Sequence, residues 1–213
     1  MQRTVRFGAA LARGDLGQTY RSGHPGVTTM WVGLIGIGPQ RLQPFLPSRF
    51  TNFATLQRHP TYMEAFDAAR HAVAIVSALL LVLAAALAWR LLGPGPAILG
   101  GTLLALEPYQ VGSAQLLHVD TLLAPLTLVT LLAGLNYWFG GRRPVFLLLT
   151  GVFIGLSVLT KAPGIAVPLY LSGLAFLVAR PWRTGLRPLL PWVGCAALSF
   201  LTYVAFWPAL WVE

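Results

Sequence analysis

Residues 72–89 read AVAIVSALLLVLAAALAW and contain no charged side chain. A helix needs about 20 mostly apolar residues to cross ~30 Å of hydrocarbon, and about 17 to 25 is the usual range. This stretch meets that requirement and is therefore predicted to be a membrane-spanning helix. Since backbone polar groups find no water in the bilayer core, a helix is favoured there over an open strand.

Apolar stretches of similar length continue to the end of the chain, and several of them begin with proline. Proline is tolerated in the first turn of a helix because its missing N–H would have no partner there. Gly151 and Gly155 form a GxxxG pattern, which predicts close helix packing. The fold class predicted is all-α, a polytopic transmembrane helix bundle of about six spanning helices within residues 69–213. The predicted spans are residues 71–90, 94–112, 119–139, 144–160, 163–180 and 188–207.

The composition of the 213-residue chain agrees with a membrane protein, with 56% hydrophobic and only 10% charged residues. A soluble domain carries about a quarter charged residues. The formal net charge is +9, but the basic residues lie between apolar stretches and form no patch on a polar domain. This placement indicates membrane lipid and phosphate groups as partners and argues against nucleic acid.

Arginine alternates between the predicted loops, which indicates the topology. Cytoplasmic loops collect Arg and Lys, and the loops after the second and fourth spans contain only Lys161. The loops after the first, third and fifth spans contain Arg90, Arg142, Arg143, Arg180, Arg183 and Arg187. We therefore expect a multi-pass protein of the cytoplasmic membrane, with Lys161 and residues 107–120 on the outer side.

Residues 1–68 are predicted to form an external, juxtamembrane segment before the first span. Within it, residues 26–38 (GVTTMWVGLIGIG) are apolar but too short to cross the bilayer. They are interpreted as an amphipathic, partly interfacial helix that ends at Pro39. An external segment of this kind is ordinarily preceded by a span, so either the topology is inverted or a leading helix precedes Met1, and the second is the interpretation favoured here.

Ionisable groups near the spans are candidate functional residues because charge at membrane depth is costly. Lys161, the only lysine, lies at the outer end of a span, where its compact ammonium suits a phosphate. The alternative is a lysine that reaches the interface from a helix end. Glu107 lies where the second span breaks at Pro108. Asp120 opens the third span, either as a helix N-cap or as a site residue.

Histidine and arginine add weaker candidates. His118 and Asp120 are two residues apart and share no helical face, so they are a weak metal site. No cofactor is predicted, although the pattern does not exclude a divalent metal. Arg70 can pair with Asp67 one turn earlier, and His24 precedes the short apolar segment. These residues alone indicate only a polytopic protein with a polar external face.

Four stretches, taken in order, resemble a known family. They are residues 19–31 (TYRSGHPGVTTMW), 105–120 (ALEPYQVGSAQLLHVD), 155–164 (GLSVLTKAPG) and 206–211 (FWPALW). This succession resembles the polytopic GT-C glycosyltransferases of glycosyltransferase family 39 and its relatives, the protein O-mannosyltransferase and aminoarabinose transferase type. The resemblance covers nearly the whole chain.

The resemblance implies transfer of a sugar from a polyprenyl-phosphate-linked donor to a glycan, lipid or protein acceptor on the extracytoplasmic side. It implies that Lys161 contacts the phosphate of the donor. The implied lining of the external site is His24, Arg70, Glu107, His118 and Asp120. The family's presumed base belongs to an acidic pair in the first external loop, and the GDLG setting of Asp15 does not match that pair.

The base is therefore expected upstream of Met1, and the catalytic residue is unknown. The chain is interpreted as a central piece of a longer enzyme, truncated at both ends, which leaves its own activity open. One alternative is a membrane transporter or flippase, which would show two related halves with ionisable residues near mid-membrane. The other is a non-catalytic membrane protein.

Overall fold

The computed structural model describes residues 1–20, 26–46, 53–179, 185 and 187–212. All regular structure in this part of the chain is helical, so the predicted all-α class is confirmed. The α-helices are α1 (Gln2–Ala12), α2 (Val27–Leu42), α3 (Phe53–Gln57), α4 (Tyr62–Leu92), α5 (Pro94–Ala105), α6 (Pro108–Gln115), α7 (Asp120–Phe139), α8 (Pro144–Thr160), α9 (Ala166–Ala179) and α10 (Leu190–Phe206).

Proline and glycine set many of the helix boundaries. Helices α5, α6 and α8 each begin with a proline, which fills the position whose N–H has no partner. Gly93 follows α4 with a φ of 87°, a conformation that side chains disfavour. Helix α2 is interrupted at Gly38, whose φ is 69°, directly before Pro39. The predicted end of the helix at Pro39 is therefore a kink, because helical structure resumes at Pro39 and α2 continues to Leu42.

Helix α4 is the centre of the bundle and packs against α2, α5 and α7, while α8 lies between α7 and α10. The α8–α10 contact is very close. A Cβ added to Gly151 would lie 2.9 Å from the Cys195 carbonyl oxygen, and one added to Gly155 would lie 2.7 Å from that of Ser199. The packing role predicted for the GxxxG pattern is confirmed, because only glycine allows this approach.

Two of the described helices, α4 and α7, are long and apolar enough to cross a membrane. Only 28% of the most apolar stretch of α4 is buried. Its Ile75, Leu79 and Val82 are 60%, 63% and 68% exposed. Soluble monomers rarely expose large contiguous apolar patches, so this face is suited to lipid.

The other apolar helices are shorter than a full span. Helices α8 and α10 have 17 residues each, which is about 25 Å of helix. The predicted span at residues 94–112 is divided in the structure between α5 and α6, with the break at Leu106 and Glu107. By length and apolarity, the described residues contain two candidate spans. The bundle of about six spans stays a prediction.

Candidate functional site

The ammonium of Lys161 and the carboxylate of Asp120 meet at one end of the bundle. Lys161 directly follows α8 with an extended backbone, because Pro163 two residues later prevents the helix from continuing. Asp120 is the first residue of α7. Lys161 Nζ lies 2.9 Å from Asp120 Oδ1, and the two side chains are 29% and 21% exposed. The pair is therefore sheltered but open to a ligand.

Two more side chains contact the Asp120 carboxylate. Tyr109, on α6, donates its hydroxyl to Oδ2 at 3.2 Å. His118 Nδ1 lies 3.4 Å from the same oxygen, and it also lies 3.3 Å from the Asp120 backbone nitrogen. Neutral Nδ1 with a lone pair accepts from the backbone N–H, whereas protonated Nδ1 donates to the carboxylate. Whether Nδ1 carries a hydrogen thus decides which of the two contacts His118 makes.

The loop between α6 and α7 is strained beside this cluster. Leu117 has a φ of 55° and is only 9% exposed. The left-handed conformation costs a non-glycine residue about 1–2 kcal/mol. Such strain persists only where the surrounding packing imposes it, and it is concentrated at functional sites. The strained turn leads directly into His118 and Asp120.

Gln110 connects the helices that carry the cluster. Its Nε2 donates to Ser77 Oγ on α4 and to the Thr121 carbonyl oxygen on α7, each at 2.8 Å. Ser77 Oγ also donates to the Thr121 carbonyl at 3.2 Å. Glu107 Oε2 accepts the Gln110 backbone N–H at 2.6 Å and so caps the N-terminus of α6. These bonds hold α6 in the position that brings Tyr109 to Asp120.

The start of α2 reaches the same place. The Gly26 N–H donates to the Thr160 carbonyl at 3.1 Å. A Cβ on Gly26 would lie 3.3 Å from Val119 Cγ1, and its φ of 59° is disfavoured for side chains. Gly26 therefore lies beside the residue before Lys161 and the residue before Asp120. His24 lies outside the described residues.

The last motif, residues 206–211, is joined to the N-terminal segment by aromatic side chains. Trp31 Nε1 donates to the Phe206 carbonyl at 2.8 Å. The rings of Tyr20 and Trp207 are stacked with centroids 5.9 Å apart. Tyr203 meets the Trp207 ring edge-on at 5.3 Å. All four motifs singled out in the sequence thus contribute described residues to the same end of the bundle.

Arg70 contacts a different part of the surface. Its Nε lies 2.9 Å from Asp67 Oδ1, which confirms the predicted pair one turn apart. The guanidinium also lies 6.0 Å from the centre of the Phe66 ring. Arg70 lines a cleft between α4 and the α5–α6 pair, which Ser77 also lines and which neither Lys161 nor Asp120 lines. Among the described residues no group of three His, Cys, Asp or Glu side chains converges as a metal site would require.

Arginine is found at the opposite end of the bundle. Arg90 Nη2 donates to the Gly140 carbonyl at 3.4 Å, and its guanidinium lies 5.1 Å from the centre of the Phe146 ring. The Arg142 guanidinium lies 5.4 Å from the Trp138 ring centre. The first and third predicted loops therefore share one end, as an alternating topology requires.

Sequence reasoning missed three residues of the site. Tyr109, Gln110 and Leu117 all lie in the 105–120 motif, but a continuous helix would separate Tyr109 and Asp120 by about 16 Å along its axis. Contact between them depends on the turn at residues 116–119. The available signal was the helix break at Glu107-Pro108, which marks a new short helix whose second and third residues face the cluster.

In its described part the chain is helical, with exposed apolar helix faces and a polar cluster at one end of the bundle, which is typical of membrane-embedded enzymes and carriers. The family model described as dolichyl-phosphate-mannose-protein mannosyltransferase matches residues 61–209. The chain belongs to this family of membrane-bound glycosyltransferases, as its motifs predicted. No curated protein and no solved structure matches the chain.

Proposed function

We propose that this chain forms part of a membrane glycosyltransferase that takes a sugar from a polyprenyl-phosphate-linked donor and transfers it to a glycan, lipid or protein acceptor on the extracytoplasmic side. The observation that carries the proposal is the Lys161–Asp120 pair at the meeting point of the family motifs. Membership in a mannosyltransferase family favours this function over a transporter, a flippase or a non-catalytic protein.

Lys161 is the proposed ligand of the donor phosphate. An ammonium can bind a phosphate oxygen by a charge-assisted hydrogen bond, and it stabilises the charge left on the phosphate when the sugar–oxygen bond breaks. The Asp120 carboxylate accepts a hydrogen bond from this ammonium. A donor phosphate would therefore compete with the Asp120 carboxylate for contact with Lys161 Nζ.

The neighbours of the pair have supporting roles in the proposed site. Tyr109 would hold the released carboxylate at the site because its hydroxyl contacts the other carboxylate oxygen. His118 would line the site, and Glu107 would fix α6. His24 and Arg70 stay proposed lining residues of the external face. The base that accepts the acceptor's proton is not assigned.

The proposed topology has about six spans, with the Lys161 end outside the cytoplasmic membrane. It is supported by the exposed apolar face of α4 and by the opposed positions of the arginines and Lys161. Helices α8 and α10 are near the lower length limit for a span.

The test is donor cleavage by the chain in lipid nanodiscs, both as given and extended upstream in frame. Lys161→Ala should abolish sugar release from a polyprenyl-phosphate-mannose donor. Arg143→Ala removes the same charge at the exposed opposite end of α8 and should leave release unchanged. If Lys161→Ala releases sugar as the wild type does, or if Lys161→Ala and Arg143→Ala lose release equally, the proposed contact of Lys161 with the donor phosphate is rejected. No release from any form would reject the transferase.

A further inference from the structure

A cleft with polar lining residues lies next to Ser77, whose hydroxyl donates to the carbonyl of Thr121, the residue after Asp120. It is a cleft of about 550 Å³ between α4 and the α5–α6 pair. Small-molecule sites in proteins are about 300–1,000 Å³ and combine apolar walls with a few polar groups that fix orientation. The polar groups of this cleft are Arg70, His71, Ser77 and Gln115.

The hydrogen-bonding state of these groups leaves capacity for a ligand. His71 Nδ1 lies 2.6 Å from the Asp67 carbonyl oxygen, which can only accept, so Nδ1 carries the proton and Nε2 is an acceptor in the neutral ring. Ser77 Oγ donates to Thr121 and accepts one bond from Gln110, which leaves one lone pair. The cleft thus offers both donors and acceptors.

The charge of the cleft is balanced. The Arg70 guanidinium is paired with the Asp67 carboxylate at 2.9 Å, and both are partly exposed. Because the Arg70 guanidinium already has a counter-ion, it attracts a phosphate only weakly, but its other nitrogens can still donate hydrogen bonds. The balance favours an uncharged ligand with several hydroxyl groups.

The walls of the cleft have the size and character to hold a sugar ring. Ala78 on α4 faces Ala105 and Ala114 on the opposite helices, and these small side chains leave the open volume. Leu81 and Val111 complete an apolar surface. Ser77 joins the cleft to the Lys161–Asp120 cluster because it is hydrogen-bonded to the backbone of Thr121, the residue after Asp120.

We propose that this cleft is a binding subsite for one uncharged hexose unit, placed next to the proposed transfer site. The choice of a sugar rests on the proposed function. The hexose has two possible sources, the donor or a glycan acceptor, and both present the same hydroxyl chemistry to the cleft.

The experiment is saturation-transfer NMR with methyl α-mannopyranoside and the chain in detergent micelles. The wild type should transfer saturation to the ring protons. Ala78→Leu places three additional carbons in the cleft, where they would clash with a bound sugar ring, and should abolish the signal. Ala86→Leu makes the same change on an exposed part of α4 outside the cleft and should preserve the signal. Gln115→Leu keeps the side-chain size, removes one hydrogen-bonding group, and should weaken binding about fivefold.

Two further arms separate this inference from the phosphate site and identify the source of the hexose. Lys161→Ala should retain the mannoside signal because Lys161 is outside the cleft, so a failed phosphate proposal leaves this test intact. Displacement by polyprenyl-phosphate-mannose, but not by polyprenyl phosphate, would assign the subsite to the donor sugar. Persistence of the signal with both lipids would assign it to the acceptor. No transfer in the wild type, or equal transfer in wild type, Ala78→Leu and Gln115→Leu, would overturn the subsite.

Discussion

Replacement of Asp120 by asparagine should tighten phosphate binding by this protein. The Asp120 carboxylate lies 2.9 Å from Lys161 Nζ, where the donor phosphate is proposed to bind. The carboxylate repels an anionic phosphate and competes with it for the ammonium. Asp120→Asn keeps the side-chain shape and removes the negative charge, so it removes the repulsion and weakens the competition.

The size of the effect follows from the environment of the pair. The two side chains are 29% and 21% exposed, so solvent screens the interaction in part. A partly exposed ion pair contributes about 1 kcal/mol, and removal of that competition is about a fivefold decrease in Kd. Lys161→Ala instead loses a charge-assisted hydrogen bond of about 1.5–3 kcal/mol, which is about a 10- to 150-fold increase in Kd. The two variants should move in opposite directions.

The assay is titration of a short polyprenyl phosphate into the nanodisc-embedded chain, with Kd measured calorimetrically. Asp67→Asn is the matched control, because Asp67 is also an aspartate paired at 2.9 Å, but with Arg70 and away from Lys161. It should leave Kd unchanged. The competition argument fails if Asp120→Asn weakens binding as Lys161→Ala does, since Asp120 would then orient the ammonium for the phosphate.

Other predictions concern the packing, the α6 connection and the topology. Gly155→Ala should lower the free energy of unfolding by about 1–3 kcal/mol, because the new Cβ would lie 2.7 Å from a carbonyl oxygen of α10. Gly173→Ala, with nothing within 4 Å of the new Cβ, is the control, and equal melting temperatures would contradict the close packing. Gln110→Ala should lower the stability of α6 by about 1–3 kcal/mol, because it leaves buried hydrogen-bond partners unpaired. The measurement is hydrogen exchange, in which the α6 backbone should lose protection. Unchanged protection would show that other contacts hold α6. For the topology, a cysteine introduced at Ala162 in a Cys-free background should react with an impermeant maleimide added to intact cells. A cysteine introduced at Gly141, at the other end of the bundle, should not react. Labelling at Gly141 but not at Ala162 would show that the topology is the reverse of the one proposed.

The parts of the site that sequence could predict are those whose chemistry is local. The sequence shows a lysine at the end of one apolar helix and an aspartate at the start of another. Both are candidate site residues because a charge near membrane depth costs free energy. The GxxxG pattern on α8 and the Arg70–Asp67 pair are likewise set by helical spacing, and both were confirmed. The helix break at Glu107-Pro108 was visible too, but not the short helix α6 that follows it.

The parts that could not be predicted depend on contacts distant in sequence. Tyr109 reaches Asp120 only because Leu117 adopts a left-handed conformation that its residue type disfavours. Local preference argues against that turn, and packing overrides it. The predicted span at residues 94–112 extended past the break at Glu107-Pro108, whereas in the structure α5 ends at Ala105 and a separate helix, α6, runs from Pro108 to Gln115.

The helical class, the family and the candidate charged residues can be inferred from the amino-acid sequence alone. Length and apolarity are properties of each segment, so they need no knowledge of neighbouring segments. The contact of Lys161 with Asp120, and the position of Gly26 beside the residues that precede them, are visible only in the folded bundle. The same is true of the polar cleft that Ser77 lines. These contacts depend on the angles at which the helices cross. Hydrogen bonds and close packing between helices fix those angles, and they form only when the helices meet in the folded protein.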